Sequence, residues 1–170
     1  PQARQAGRLK FLAAAGDELR DASERVRALE VLTELFGGIS GQELEVLSEP
    51  RSPEVRARAV WSHGRTHAAA PDLRRLALFV EDTDPLVARF AMQAALGAPR
   101  GAAFAQLIPG LVQQMSGPDR FNRQTASRLI PKLDADTFKD LSQAAQQAGG
   151  GTGDGTVKPA AWQATVVKIG

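Results

Sequence analysis

The chain contains no cysteine, so disulfides, thiolate metal ligands, thiol nucleophiles and covalent haem attachment are all excluded within these residues. Tyrosine is absent as well, and the aromatic residues are seven Phe and two Trp. Few side chains are therefore available to stack on exposed nucleobases. The formal charge is only +2, and no basic block accompanies it. No apolar run approaches the roughly 20 residues that span a bilayer. No phosphate loop, Ser–His–Asp arrangement or metalloprotease motif is present. These absences predict a protein that is not an enzyme and takes no cofactor. A cysteine-free chain suits cytosol and periplasm equally. The chain opens on Pro1 and closes on Ile169-Gly170 without a visible signal peptide. We expect it to be part of a longer protein, with any targeting signal outside it.

Ala, Leu, Arg and Gln are plentiful and β-branched residues sparse, which predicts an all-α fold. Ser52-Pro53, Asp84-Pro85 and Gly117-Pro118 each open an alanine-centred apolar run, with the prolines 32 and 33 residues apart. The best register places Ala28, Ala59, Ala91 and Ala126 in equivalent slots, separated by 31, 32 and 35 residues. Three and four positions later come Val31 and Leu32, Ser62 and His63, Ala94 and Ala95, and Leu129 and Ile130. Slots 0, +3 and +4 share one face of a helix, so this is a buried stripe. Ser52 and Asp84 suit N-caps and their prolines the first helical turn, with Gly117-Pro118 a weaker version. Gly37-Gly38, Gly64 and Gly97 are placed to end the helices.

An apolar stripe precedes each of these runs. Leu44 and Leu47 mark one, Leu73, Leu76, Ala77 and Val80 a second, and Phe104, Leu107, Ile108, Leu111 and Met115 a third. Residues 3–15 supply the partner of the first run, although Gly7 weakens that helix. Phe138, Leu141, Ala145 and Ala148 open a fifth unit, capped by Asp134 or Asp136. Pro109 is expected to kink its helix. The predicted unit is a two-helix hairpin that buries its stripe only by stacking on the next pair. We therefore expect a right-handed α-solenoid of about four to five hairpins over residues 1–148. A Gly-rich linker over 149–159 follows, and 160–170 would start a further repeat or domain, with Trp162 and Val166 as its anchors.

Asp84-Pro-Leu-Val-Ala-Arg-Phe-Ala91 and Pro53-Glu-Val-Arg-Ala-Arg-Ala59 resemble the second helix of HEAT repeats, and Leu107-Ile-Pro-Gly-Leu111 resembles the proline-bearing first helix. The spacing is closer to compact bacterial HEAT-like repeats than to units of about 40–47 residues. The resemblance implies an armadillo-like superhelix whose second helices line the inner curve, and it implies no particular chemistry. Residues 27–38, followed by Pro53–Trp61, also look like the HEAT-repeat region of bacterial membrane-associated dehydrogenase-like proteins. That likeness would make this segment a connector in a periplasmic protein whose c-type haem domain lies elsewhere.

Candidate site residues follow from this layout. Trp61 lies off the buried stripe and is the leading contact candidate, because large aromatics dominate binding energetics. Arg56, Arg58, Arg89 and Arg123, with Arg65, Arg120 and Arg128, fall mainly on second helices. They could line a concave protein-binding surface or, less in keeping with the low net charge, track a phosphate backbone. Alternatively they pair with acids or carbonyls of the adjacent repeat. His63 and His67 have the spacing of two metal ligands, but His63 occupies a core slot and His67 lies past Gly64, so no metal is expected. Glu54 beside Trp61 is the nearest approach to a base-excision acid, and its place in a first turn has an ordinary electrostatic reason. The expected partner is another protein or another domain of the same chain.

Overall fold

The computed structural model describes residues 2–48 and 52–149; Gly149, expected to open the linker, ends a helix, and the rest of the linker and the terminal segment with Trp162 and Val166 lie outside the described residues. The described chain is helical throughout. Its α-helices are α1 (Gln2–Gly16), α2 (Ala22–Phe36), α3 (Gly41–Ser48), α4 (Pro53–Thr66), α5 (Leu73–Val80), α6 (Pro85–Ala95), α7 (Ile108–Ser116), α8 (Arg120–Ser127) and α9 (Ala135–Gly149). Short 3₁₀ segments cover Ala102–Leu107 and Ile130–Lys132. No strand occurs among the described residues.

Local chemistry accounts for most of the boundaries. The Ser52 hydroxyl accepts from the Val55 N–H, and the Asp84 carboxylate accepts from those of Leu86 and Val87. Proline occupies the first turn of both helices, where a missing N–H costs nothing. Ser40 and Glu43 cap α3 reciprocally, each side chain accepting the other's backbone N–H. Asp134 caps α9 by accepting from Thr137 N–H at 2.9 Å. Gly37 and Gly38 both take positive φ after α2, and the Gly38 N–H returns to the Leu32 carbonyl at 2.8 Å.

Three expected features differ. Gly64 does not end α4, which runs on to Thr66. Its hydrogen side chain instead lets α4 approach α6, because a Cβ there would lie 2.4 Å from the Ala94 Cβ. Pro109 does not kink a helix interior. The chain runs as a 3₁₀ segment to Leu107, and Pro109 falls in the first turn of α7, where it breaks no helical bond. The cap of α8 is Asp119, not Gly117-Pro118, with its carboxylate accepting from Asn122 N–H at 2.8 Å.

The core follows the alanine register. Ala28, Ala59, Ala91 and Ala126 are all buried, as are Leu32, His63, Ala95 and Ile130 four positions on. Small residues at the centre allow close helix approach. The first helix of each pair packs on the second, and α2, α4, α6 and α8 pack in succession. The first helices also meet their successors, α1 with α3, α5 with α7, and α7 with α9. Polar ties across these layers have a common reach. Among the described residues, long-range side-chain hydrogen bonds run from 24 positions apart, at His63 and Ile39, to 35 at Arg8 and Glu43. That is close to the 31 to 35 residues that separate the core alanines. Arg8 grips Glu43 through two bonds, holding its carboxyl below the usual range while the Arg8 guanidinium is pushed up.

Candidate interaction surface

Positions −1, +2 and +6 of the register lie on the helix face opposite the buried stripe. In α2 these are Arg27, Glu30 and Glu34, and in α4 they are Arg58, Trp61 and Arg65. The Arg58 guanidinium lies 4.6 Å from the centroid of the half-buried Trp61 ring, and that of Arg65 lies 5.6 Å away. Each cation also reaches back one layer, Arg58 to Glu30 at 3.4 Å and Arg65 to Glu34 at 3.4 Å. Trp61 is thus flanked by two cations whose charge α2 already balances.

The same face continues on α6 and α8. Phe90 is half-buried and Gln93 exposed. One turn earlier, Leu86 and Phe121 occupy equivalent slots and are 40% and 46% exposed. The Arg89 and Arg120 guanidinium carbons lie 5.0 Å and 4.5 Å from the centroid of the Phe121 ring. Cations over an aromatic face are favourable by about 0.5–1 kcal/mol at exposed sites. Arg89 is fixed by more than the ring. It donates to Asn122 Oδ1 at 3.1 Å and to both Asp119 oxygens at 3.3 Å. Asn122 in turn donates to Gln114, which donates to the Val80 carbonyl at 2.8 Å. This buried amide chain holds α5, α6, α7 and α8 to one another.

Two further candidate cations, Arg56 and Arg123, are engaged elsewhere, while Arg128 is exposed. Arg56 donates twice to Asp82, at 3.0 Å each, and that pair raises the Arg56 pKa. It is a tie between layers. Arg123 donates to the carbonyls of Gly117 and Pro118, both at 2.7 Å, and so braces the turn before α8. Of the candidates, Trp61, Arg58 and Arg89 border the outward face, whereas Arg56 and Arg123 serve packing. The apolar contributors Leu86, Phe90 and Phe121 escaped the sequence reading. Their signal was present, since Leu86 and Phe121 both stand five positions before a core alanine.

His63 is 3% exposed, with Nδ1 3.5 Å from the Ile39 carbonyl oxygen and Nε2 buried without a partner. Burial and the adjacent His67 push its pKa below the ordinary value. The two imidazoles stack at 4.2 Å, and His67 Nδ1 lies 3.0 Å from the His63 carbonyl oxygen. Stacked rings do not converge two nitrogens on one point. No group of three His, Cys, Asp or Glu able to hold a metal occurs among the described residues. The Glu54 carboxyl accepts from the Ser52 hydroxyl at 2.7 Å, which holds its pKa down. A general acid needs the opposite shift. No described helix is long and apolar enough to cross a membrane.

Comparison of the sequence with models of known protein families finds no match, and neither does comparison with curated proteins.

Proposed function

We propose that the chain is a HEAT-like α-solenoid acting as a non-enzymatic protein-interaction module, with the outward face of its second helices as the contact surface. Successive pairing of α2, α4, α6 and α8 supports the stacked architecture, as do polar ties of about one repeat in length. The observation that carries the functional reading is the gathering of Trp61, Phe90 and Phe121 with Leu86 on one face of α4, α6 and α8. Rings held by flanking guanidinium groups, as Trp61 and Phe121 are, are pre-ordered anchors, so less side-chain freedom is lost on binding. A phosphate-tracking role is less favoured, because Arg56, Arg58, Arg65 and Arg89 already face Asp82, Glu30, Glu34 and Asp119.

A photo-crosslinking amino acid in place of Gln93 tests the assignment against one in place of Leu78, an exposed residue of α5. Discrete protein adducts are expected from position 93 and not from 78, and Trp61→Ala should diminish them. Equal labelling from both faces, or none from position 93, would refute the reading.

A further inference from the structure

The exposed surface around Phe121 is unlike the rest of this face in its charge. On α4 the two cations beside Trp61 are balanced by Glu30 and Glu34 of the preceding helix. Around α8 the balance fails. Residues 119–132 carry Arg120, Arg123, Arg128 and Lys132 against Asp119 alone. Asp119 is taken up by Arg89 and by the α8 backbone. Arg123 is turned onto carbonyls of its own turn, and Lys132 onto the Ala98 carbonyl at 3.0 Å. Arg120 and Arg128 are exposed and have no ion pair among the described residues. Arg128 stands seven positions beyond Phe121, two helical turns along the same face. Leu86 and Phe90 belong to α6, which packs on α8, and supply apolar area.

We propose that the α6–α8 patch of Leu86, Phe90 and Phe121, rimmed by Arg120 and Arg128, docks an acidic protein segment bearing bulky apolar side chains. The inference rests on the interaction-module reading and adds the chemistry of the partner. Apolar anchors of the segment cover Phe121 and its neighbours, while its carboxylates meet the two unpaired guanidinium groups at the rim. Charge of this kind chiefly sets encounter rate and selectivity, and the buried rings set retention. A nucleic acid is the rival occupant, since arginine and an aromatic ring also suit a base and its phosphate. It is less favoured because, on this outward face, the cations Arg120 and Arg128 belong to α8 and its C-cap, while those of α4 and α6 are paired with Glu30, Glu34 and Asp119.

Backbone amide shifts of the ¹⁵N-labelled chain provide the test. The probes are a synthetic peptide alternating Asp pairs with Leu and Phe, its Asn-for-Asp counterpart, its Lys-for-Asp counterpart, and an oligothymidylate of similar charge. The acidic peptide should shift amides of α6 and α8 selectively. Arg120→Glu with Arg128→Glu should weaken it about tenfold and make the Lys-for-Asp peptide the tighter binder. Both side chains are exposed, and an unchanged melting temperature verifies that the double variant folds. The proposal is overturned if the Asn-for-Asp peptide binds equally well, if the oligothymidylate binds more tightly, or if no probe perturbs α6 and α8. Any of these alongside intact crosslinking from position 93 removes the acidic partner while leaving the interaction module standing.

Discussion

Gly64→Ala isolates the close approach of α4 and α6. The added Cβ would sit 2.4 Å from the Ala94 Cβ and 3.3 Å from its Cα. Carbon atoms in contact prefer about 3.5–4.0 Å, so the helices must part by about 1 Å or more. The obstacle is a methyl on the helix backbone and cannot rotate aside. Overpacking costs about 1–3 kcal/mol, and a rigid contact of this shortness belongs at the upper end. Against that, alanine in a helix interior is favoured over glycine by about 1 kcal/mol. The balance is a loss of about 2 kcal/mol, or about 4–8 °C in melting temperature for a chain of this size. Thermal and urea unfolding followed by circular dichroism would measure it. Ala94→Gly in the same chain removes the opposing methyl, so the double variant should be less destabilised than the sum of the singles by about 2 kcal/mol. Gly7→Ala is the control. Its Cβ would meet only the Phe36 ring, at 3.4 Å, and the change should be neutral or stabilising by up to about 1 kcal/mol. If Gly64→Ala melts at or above the parent temperature, or the cycle is additive, this account of the α4–α6 seam is wrong.

Acid should destabilise the protein in two stages. His63 has a folded pKa below its unfolded value near 6.5, so the unfolded chain binds the proton first and stability falls as pH drops below about 6.5. The loss ends once pH passes the folded pKa. Glu43 also has a lowered pKa, and its contribution, present above about 4.5, is lost only in a later and more acidic window. Urea midpoints at pH 7.5 and 5.5 should therefore differ, and His63→Leu, which places in the slot the side chain that Leu32 has in α2, should flatten that difference. An unchanged slope in the variant would show that another group drives it. Ala91→Glu would bury a carboxylate at a fully enclosed slot between α4 and α8, costing several kcal/mol. A preserved melting temperature would show that the alanine register is misplaced.

Much of this fold was legible because its signals are local. A cap joins residues two or three apart, and a buried stripe joins residues three or four apart, so Ser52, Asp84 and the four core alanines could be read directly, and the cap of α9 narrowed to Asp134 or Asp136. Gly64 was misread for the same reason. As a local signal it marks a helix end, and only the approach of Ala94, thirty positions on, gives it another use. Pro109 and Asp119 turn on where a helix begins, and helix ends are the part of a helix that the apolar period fixes least.

The sequence alone determined that the chain is helical, that it has no thiol chemistry, and which helix faces turn inward, because helical period and chain composition are properties of neighbours. Only the tertiary structure decided which cations are spent and which are free. Arg56, Arg89 and Arg120 are all arginines of the alanine-centred helices, yet one is tied to Asp82, one to Asp119 and Asn122, and one stands open over Phe121. That distinction depends on the phase and axial offset of successive helices. Side chains far apart in sequence meet across neighbouring helices or miss by a turn, and no local pattern records which.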